Sequence, residues 1–108
     1  RKVYDILAPC LLQTNLDRTK NAPWGVAGGK EAQPGCVTVF REEGGEPEKV
    51  CKAKGYPLYA GDRVFLETGG GGGWGPVIER SKDAIARDVA RGYISAEAAA
   101  RDYGFKTA

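Results

Sequence analysis

Five consecutive glycines, Gly69, Gly70, Gly71, Gly72 and Gly73, constrain this chain of 108 residues more than any other feature. They are closed by Trp74, Gly75 and Pro76. Each glycine loses more backbone freedom on ordering than any other residue, so the run is neither strand nor helix. Main chain without side chains is what such a segment supplies. Three readings are open: a ligand or another polypeptide comes very close, the chain packs backbone against backbone, or the loop moves. Consecutive N–H groups also suit an anion cradle for phosphate or carboxylate. The run is not a P-loop, because no Gly-Lys-Ser/Thr follows. It is not a dinucleotide fingerprint, because no helix pattern starts directly after the last glycine.

The residues before the run read as turn and strand. Gly61-Asp62 is a tight-turn dipeptide. Val64, Leu66 and Thr68 alternate with Phe65 and Glu67, the period of a strand. Upstream, residues 2–7 are a short strand candidate, with Val3 and Asp5 on one face and Tyr4 and Ile6 on the other. Pro9 interrupts it, and Cys10-Leu11-Leu12 begins a second apolar segment. Residues 15–23 are polar and read as an exposed loop. Trp24, Gly25, Gly28 and Gly29 form a second glycine-aromatic segment after Pro23.

Cys36–Phe40 is rich in β-branched residues and predicts a strand. The turn signal Gly44-Gly45 predicts a hairpin returning through residues 49–52. Centred on those glycines, the hairpin sets Phe40 opposite Lys49 and Thr38 opposite Cys51. Cys36 and Cys51 then share a face as diagonal neighbours, about 7–8 Å apart at Cα. Residues 54–58 read as a loop.

After Pro76 the pattern turns helical. Ser81 caps one helix that ends at Gly92, and Ser95 caps another that ends at Gly104. Ile85, Val89, Ala86 and Ala90 make one apolar face of the first. Asp83 and Arg87 have the spacing of an ion pair on the other side. Phe105 follows the second glycine cap and is placed to fold back on the last helical turn. The expected architecture is mainly β, a small antiparallel sheet or barrel-like domain with glycine-rich loops over residues 1–76. A C-terminal pair of short α-helices over residues 77–108 packs on it.

Composition narrows the function. The net charge of +2 is too small to predict a nucleic-acid or membrane-surface partner, and the helical tail lacks a basic face. No apolar run approaches the roughly 20 residues that span a bilayer. No secretory signal is expected at the N-terminus. Three cysteines without a CxxC suit a reducing cytosol rather than a disulfide framework. The absence of histidine excludes Ser-His and Cys-His catalysis within the chain. Cys10, Cys36 and Cys51 are the candidates for zinc, which needs a fourth ligand from elsewhere; buried apolar thiols are the plainer reading. Asp17, Arg18, Asp62 and Glu67 are charged residues near the glycine segments, and Asp62 sits where turn chemistry favours aspartate. Trp24 and Trp74 read as packing anchors.

Several of these residues together carry a family resemblance. Asp17-Arg18, then Ala22-Pro23-Trp24-Gly25 and Gly28-Gly29, form one motif. Leu58 to Gly61-Asp62, with Val64, Glu67-Thr68 and the glycine run ending in Trp74-Gly75-Pro76, form a second. Glu79-Arg80, Asp88-Val89, Gly92-Tyr93, Ser95, Glu97-Ala98-Ala99 and Asp102-Tyr103-Gly104 complete the order. It resembles the C-terminal region of the hydantoinase B / 5-oxoprolinase family, departing from the family pattern after Thr68 and before Pro76. The resemblance implies part of a cytoplasmic, ATP-dependent enzyme that hydrolyses cyclic amides or carboxylates ketones. It implies a C-terminal domain of the longer B-type polypeptide, or a separately encoded small subunit as in acetophenone carboxylase-type complexes. Hydantoinase A-type and B-type subunits are then the expected partners, with ATP and a divalent metal held by them. No catalytic residue is expected in this chain, which has no histidine and no paired acid-base motif. Its expected contribution is an interface or ligand loop made of Trp24, Gly28, Gly29, Gly69, Gly70, Gly71, Gly72, Gly73 and Trp74. The competing reading is a free-standing zinc- or anion-binding module.

Overall fold

The computed structural model describes residues 1–106. The chain is mainly antiparallel β-structure followed by two α-helices, as the sequence predicts. It divides into two compact units. One comprises Arg1–Pro23 and Glu31–Gly71; the other comprises Trp24–Lys30 and the described residues from Gly72 onward.

The first unit holds six strands: β1 (Lys2–Asp5), β2 (Cys10–Asn15), β3 (Cys36–Phe40), β4 (Glu48–Lys49), β5 (Lys52–Leu58) and β6 (Arg63–Glu67). Four of them form one sheet in the order β1-β6-β3-β4, and β2 pairs with β5 in a second. β3 pairs with β6 so that Val37 faces Leu66 and Val39 faces Val64. The alternation places Val37, Val39 and Val64 in the core with Val50 and Leu58. On the opposite face, the Phe40 and Phe65 rings meet at 4.8 Å between centroids, tilted by 50°. The turn before β6 is well formed: Asp62 N–H donates to the Tyr59 carbonyl at 3.1 Å, and Gly61 has φ +89°. A positive φ at the third turn position defines a type II turn and requires glycine there.

The structure corrects the hairpin register. Thr38 faces Lys49 and Val39 faces Glu48, a shift of two residues from a hairpin closed tightly on Gly44-Gly45. Both glycines do take left-handed conformations, φ +87° and +104°. The connection is longer because Arg41 and Glu42 are engaged with Asp62, and because Pro47 has no N–H to offer a ladder. β4 is therefore two residues long, and Cys51 lies outside it. Residues 54–58, expected as a loop, lie within β5. Gly55, with φ +69°, adds the extra residue of a β-bulge between the Leu12–Tyr56 and Thr14–Ala53 pairs. Thr14 spans the irregularity: its Oγ1 donates to the Cys51 carbonyl at 3.2 Å and accepts from Ala53 N–H at 3.1 Å. Pro57 is tolerated because β5 has a single neighbour and an open edge.

The second unit contains a 3-10 turn (Val77–Glu79), α1 (Lys82–Ala90) and α2 (Ala96–Tyr103). Ser81 and Ser95 cap the helices, accepting from Ala84 N–H and Ala98 N–H. At the end of α1, Gly92 N–H donates to Val89 at 3.0 Å and Tyr93 N–H to Asp88 at 2.9 Å, a Schellman motif with Gly92 at φ +72°. Gly104, at φ +63°, ends α2, and Phe105 N–H returns to the Ala99 carbonyl. The inward residues are Ile85 and Ala99, 3% and 0% exposed. Ala86 and Ala90 are exposed, contrary to the four-residue face expected for α1. Ala84, Asp88 and Val89 take the inner side with Ile85, because Asp88 pairs there with Arg80. No helix among the described residues is long and apolar enough to cross a membrane.

Candidate functional site: glycine-backed loops and exposed tryptophans

The glycine segments meet their own chain. In the second unit, Trp24–Lys30 runs beside residues 72–76. Val26 N–H donates to the Gly73 carbonyl, Gly73 N–H to the Lys30 carbonyl, and Gly75 N–H to the Val26 carbonyl, each at 2.9 Å. Val26 and Trp74 form a parallel bridge. The two main chains lie so close that side chains are excluded. A Cβ on Gly72 would sit 1.8 Å from the Trp24 carbonyl oxygen, and one on Gly29 would sit 2.1 Å from that of Gly73. A Cβ on Gly25 would meet the Gly29 carbonyl oxygen at 1.9 Å. Gly28 lies in the left-handed region at φ +89°, where glycine is favoured.

In the first unit, Gly69 and Gly70 pass the segment before β3. Gly70 N–H donates to the Gln33 carbonyl at 3.1 Å, and a Cβ on Gly69 would meet Gly35 N at 3.3 Å. A Cβ on Gly71 would meet nothing within 4 Å. Close backbone packing within the chain thus accounts for the glycines at 25, 29 and 72 and constrains those at 69, 70 and 73.

What this clamp presents outward is aromatic. Trp24 and Trp74 are 65% and 81% exposed, so neither is a packing anchor within its unit. Val26, bridged to Trp74, is exposed as well. Backbone hydrogen bonds fix these side chains to a rigid base, and their rings face mainly solvent.

The cysteines are not gathered. Cys10 is exposed in β2, while Cys36 and Cys51 are half-buried, and all three are free thiols. The two-residue register shift leaves the faces unchanged and carries Cys36 toward the position opposite Cys51, which lies two residues beyond the end of β4. Cys36 Sγ lies 3.4 Å from Thr38 Oγ1. Among the described residues, no three His, Cys, Asp or Glu side chains form a group able to hold a metal ion.

Sequence reasoning missed a polar cluster in the first unit. Asp62 is 3% exposed, and its carboxylate accepts from Tyr59 N–H at 2.9 Å, Glu42 N–H at 3.2 Å and Arg41 Nη1 at 2.6 Å. Arg41 also donates from Nε to Glu48 at 2.8 Å and from Nη1 to the Pro57 carbonyl at 3.0 Å. The Tyr56 hydroxyl donates to the same Glu48 oxygen at 2.7 Å. The two backbone and one guanidinium donors hold the Asp62 carboxyl below the usual carboxylate range, the Tyr59 N–H contributing most. The Asp62 bond, with Glu48 nearby, raises Arg41 further above its ordinary value. The hydrogen bond to Glu48 pushes the Tyr56 phenol up. The cluster ties β3 and β4 of one sheet to β5 of the other, so it fixes the sheets rather than offering a charge to a ligand. Of the other charged residues near the glycine segments, Asp17 pairs with Lys52 at 3.5 Å and Glu67 with Arg1 at 3.4 Å, both at the surface. Arg18 adopts φ +57°, and its carbonyl accepts from Gly35 N–H at 3.2 Å. Only the spacing of Asp62 within its turn signalled any of this.

The first unit is antiparallel β-structure, and the second unit carries the exposed Trp24 and Trp74 on its backbone clamp. The chain belongs to the hydantoinase B/oxoprolinase family, whose sequence profile matches residues 1–77. Family members typically work with other subunits. An uncharacterised protein of Methanocaldococcus jannaschii is 37% identical over 106 residues, covering 98% of this chain. The chain spans only 18% of that relative's length. No solved structure matches the chain.

Proposed function

We propose that the chain is a non-catalytic part of an ATP-dependent enzyme of the hydantoinase B type, one that opens cyclic amides or carboxylates ketones. The carrying observation is the family match over residues 1–77, joined to a relative more than five times as long. A hydantoinase A-type partner holds ATP and its divalent metal. The chain acts as a C-terminal domain of the B-type polypeptide, or as the small subunit of an acetophenone carboxylase-type complex. The exposed Trp24 and Trp74, held on a side-chain-free backbone clamp, support a role at an interface or active-site rim. The zinc-module alternative is not favoured, since among the described residues the three cysteines form no group able to hold a metal ion.

The test is purification of the native assembly with a tag on this chain. Turnover is then assayed with 5-oxoproline, with hydantoin, and with acetophenone plus bicarbonate, each with and without ATP. The expected result is co-purification of A-type and B-type polypeptides and ATP-dependent conversion of one of the three. A chain that purifies alone, or an assembly that hydrolyses no ATP with any of them, overturns the reading.

A further inference from the structure

The first unit has an open core. A groove of about 420 Å³ runs between β2 and the four-stranded sheet, and its floor is formed by core residues Val37, Leu58 and Val64. Its walls include Leu12, Leu16 and Leu66, which are only half-buried. Leu11 and Tyr4, 72% and 47% exposed, stand at its edge. No Lys, Arg, Asp or Glu lines it, in a chain where 28% of residues are charged. Depletion of charge with apolar continuity into a core is the signature of an obligate interface, which resembles a domain core cut in half. A transient or solvated groove would carry charges at its rim.

We infer that this groove is filled by an uncharged, apolar segment of the remaining hydantoinase B-type polypeptide. The inference rests on the family reading above. The length of the relative argues for this occupant over a second copy of the chain. In it, the region equivalent to this chain accounts for 18% of one continuous polypeptide, so the rest is held at high local concentration beside it. The occupant completes the core begun by Val37, Val39, Leu58 and Val64.

Cys10 lines the groove and is exposed, so it reports occupancy directly. The experiment uses the purified native assembly. Alkylation by N-ethylmaleimide is followed peptide by peptide, and Cys10 is compared with glutathione at the same pH. In parallel, a benzophenone amino acid replaces Leu11 and is photolysed in the assembly. Cys10 is expected to react about tenfold or more slowly than glutathione, since access limits a shielded thiol. Cross-links from position 11 are expected on B-type residues outside the region equivalent to this chain. Labelling of Cys10 at the glutathione rate overturns the inference, as do cross-links to a second copy or to the A-type polypeptide, and shielding without a B-type cross-link. A shielded, B-type-linked groove in an assembly without ATP-dependent turnover leaves the inference standing and removes the proposed activity. An active assembly with a freely labelled Cys10 does the reverse.

Discussion

Arg41 and Asp62 are paired in a nearly dry setting, so each depends on the other. The Arg41 side chain is 17% exposed and that of Asp62 4% exposed, at 2.6 Å. Replacing Arg41 with alanine removes three donor contacts and leaves the carboxylate with its two backbone donors. The expected cost is about 2–3 kcal/mol, read as a lower urea midpoint of the assembled protein. Glu48→Gln should cost less, because the amide oxygen still accepts from the Tyr56 hydroxyl. The sign of the pH dependence follows from Asp62. Its folded carboxyl titrates below the unfolded value, so in acid the unfolded state binds the extra proton. The stabilisation is present above the unfolded value of about 3.9 and is lost as pH falls through the folded one. Urea midpoints at pH 7, 5 and 3 should fall more steeply for wild type than for Asp62→Asn. Equal slopes would remove Asp62 from the account. The glycine run gives a matched pair at the same scale. A methyl at Gly72 collides with the Trp24 carbonyl, so Gly72→Ala should destabilise by about 1–3 kcal/mol. Gly71→Ala meets nothing within 4 Å and should be neutral, or stabilising by about 0.5 kcal/mol through the unfolded chain. If both variants melt alike, backbone packing is not what keeps the run bare.

At the scale of elements, the helices were legible because their signals are local. Ser81 and Ser95 accept from the third residue onward, and Gly92 and Gly104 close the last turns in left-handed conformations. Ser95→Ala should therefore cost about 1 kcal/mol, with Ser95→Asp restoring most of it, measured by thermal melts of the assembly. The strands Cys36–Phe40 and Arg63–Glu67 were legible too, since alternation is written in adjacent residues. β5 was not. Gly55 and Pro57 carry breaker signals, and only the partner strand β2 decides that one makes a bulge and the other sits on an open edge. The β3–β4 register failed for a similar reason. Gly44 and Gly45 mark a turn, but its length is set by Arg41 reaching Asp62, 21 positions away. The face of α1 was half legible: Ile85 and Val89 point inward, while the Arg80–Asp88 pair, rather than Ala86 and Ala90, completes that side. For the glycine run, sequence showed that main chain must come close, and only the fold shows which main chain does.

Across the whole first unit, burial is thin relative to the number of strands. The buried apolar set is Val37, Val39, Val50, Leu58 and Val64. Four of the five lie in β3, in β6 or just after β4, so the four-stranded sheet holds most of the core. The β2–β5 sheet has two strands, and a two-stranded ribbon without a covered face is marginal in water. Its apolar side is only partly covered: Leu58 is buried, while Leu12 packs against the core half-buried and lines the open groove with Leu16. This asymmetry predicts a gradient of opening free energies within one unit. In the chain on its own, amides of β2 and β5 should exchange with solvent much faster than those of β3 and β6. In the assembly, filling the groove buries Leu12 and Leu16, so the β2 and β5 amides should approach the protection of β3. Hydrogen exchange read by mass spectrometry separates these segments. Equal protection of both sheets in the isolated chain would mean that the two-stranded sheet is stable unaided. The open groove would then be a surface feature instead of a missing half of the core.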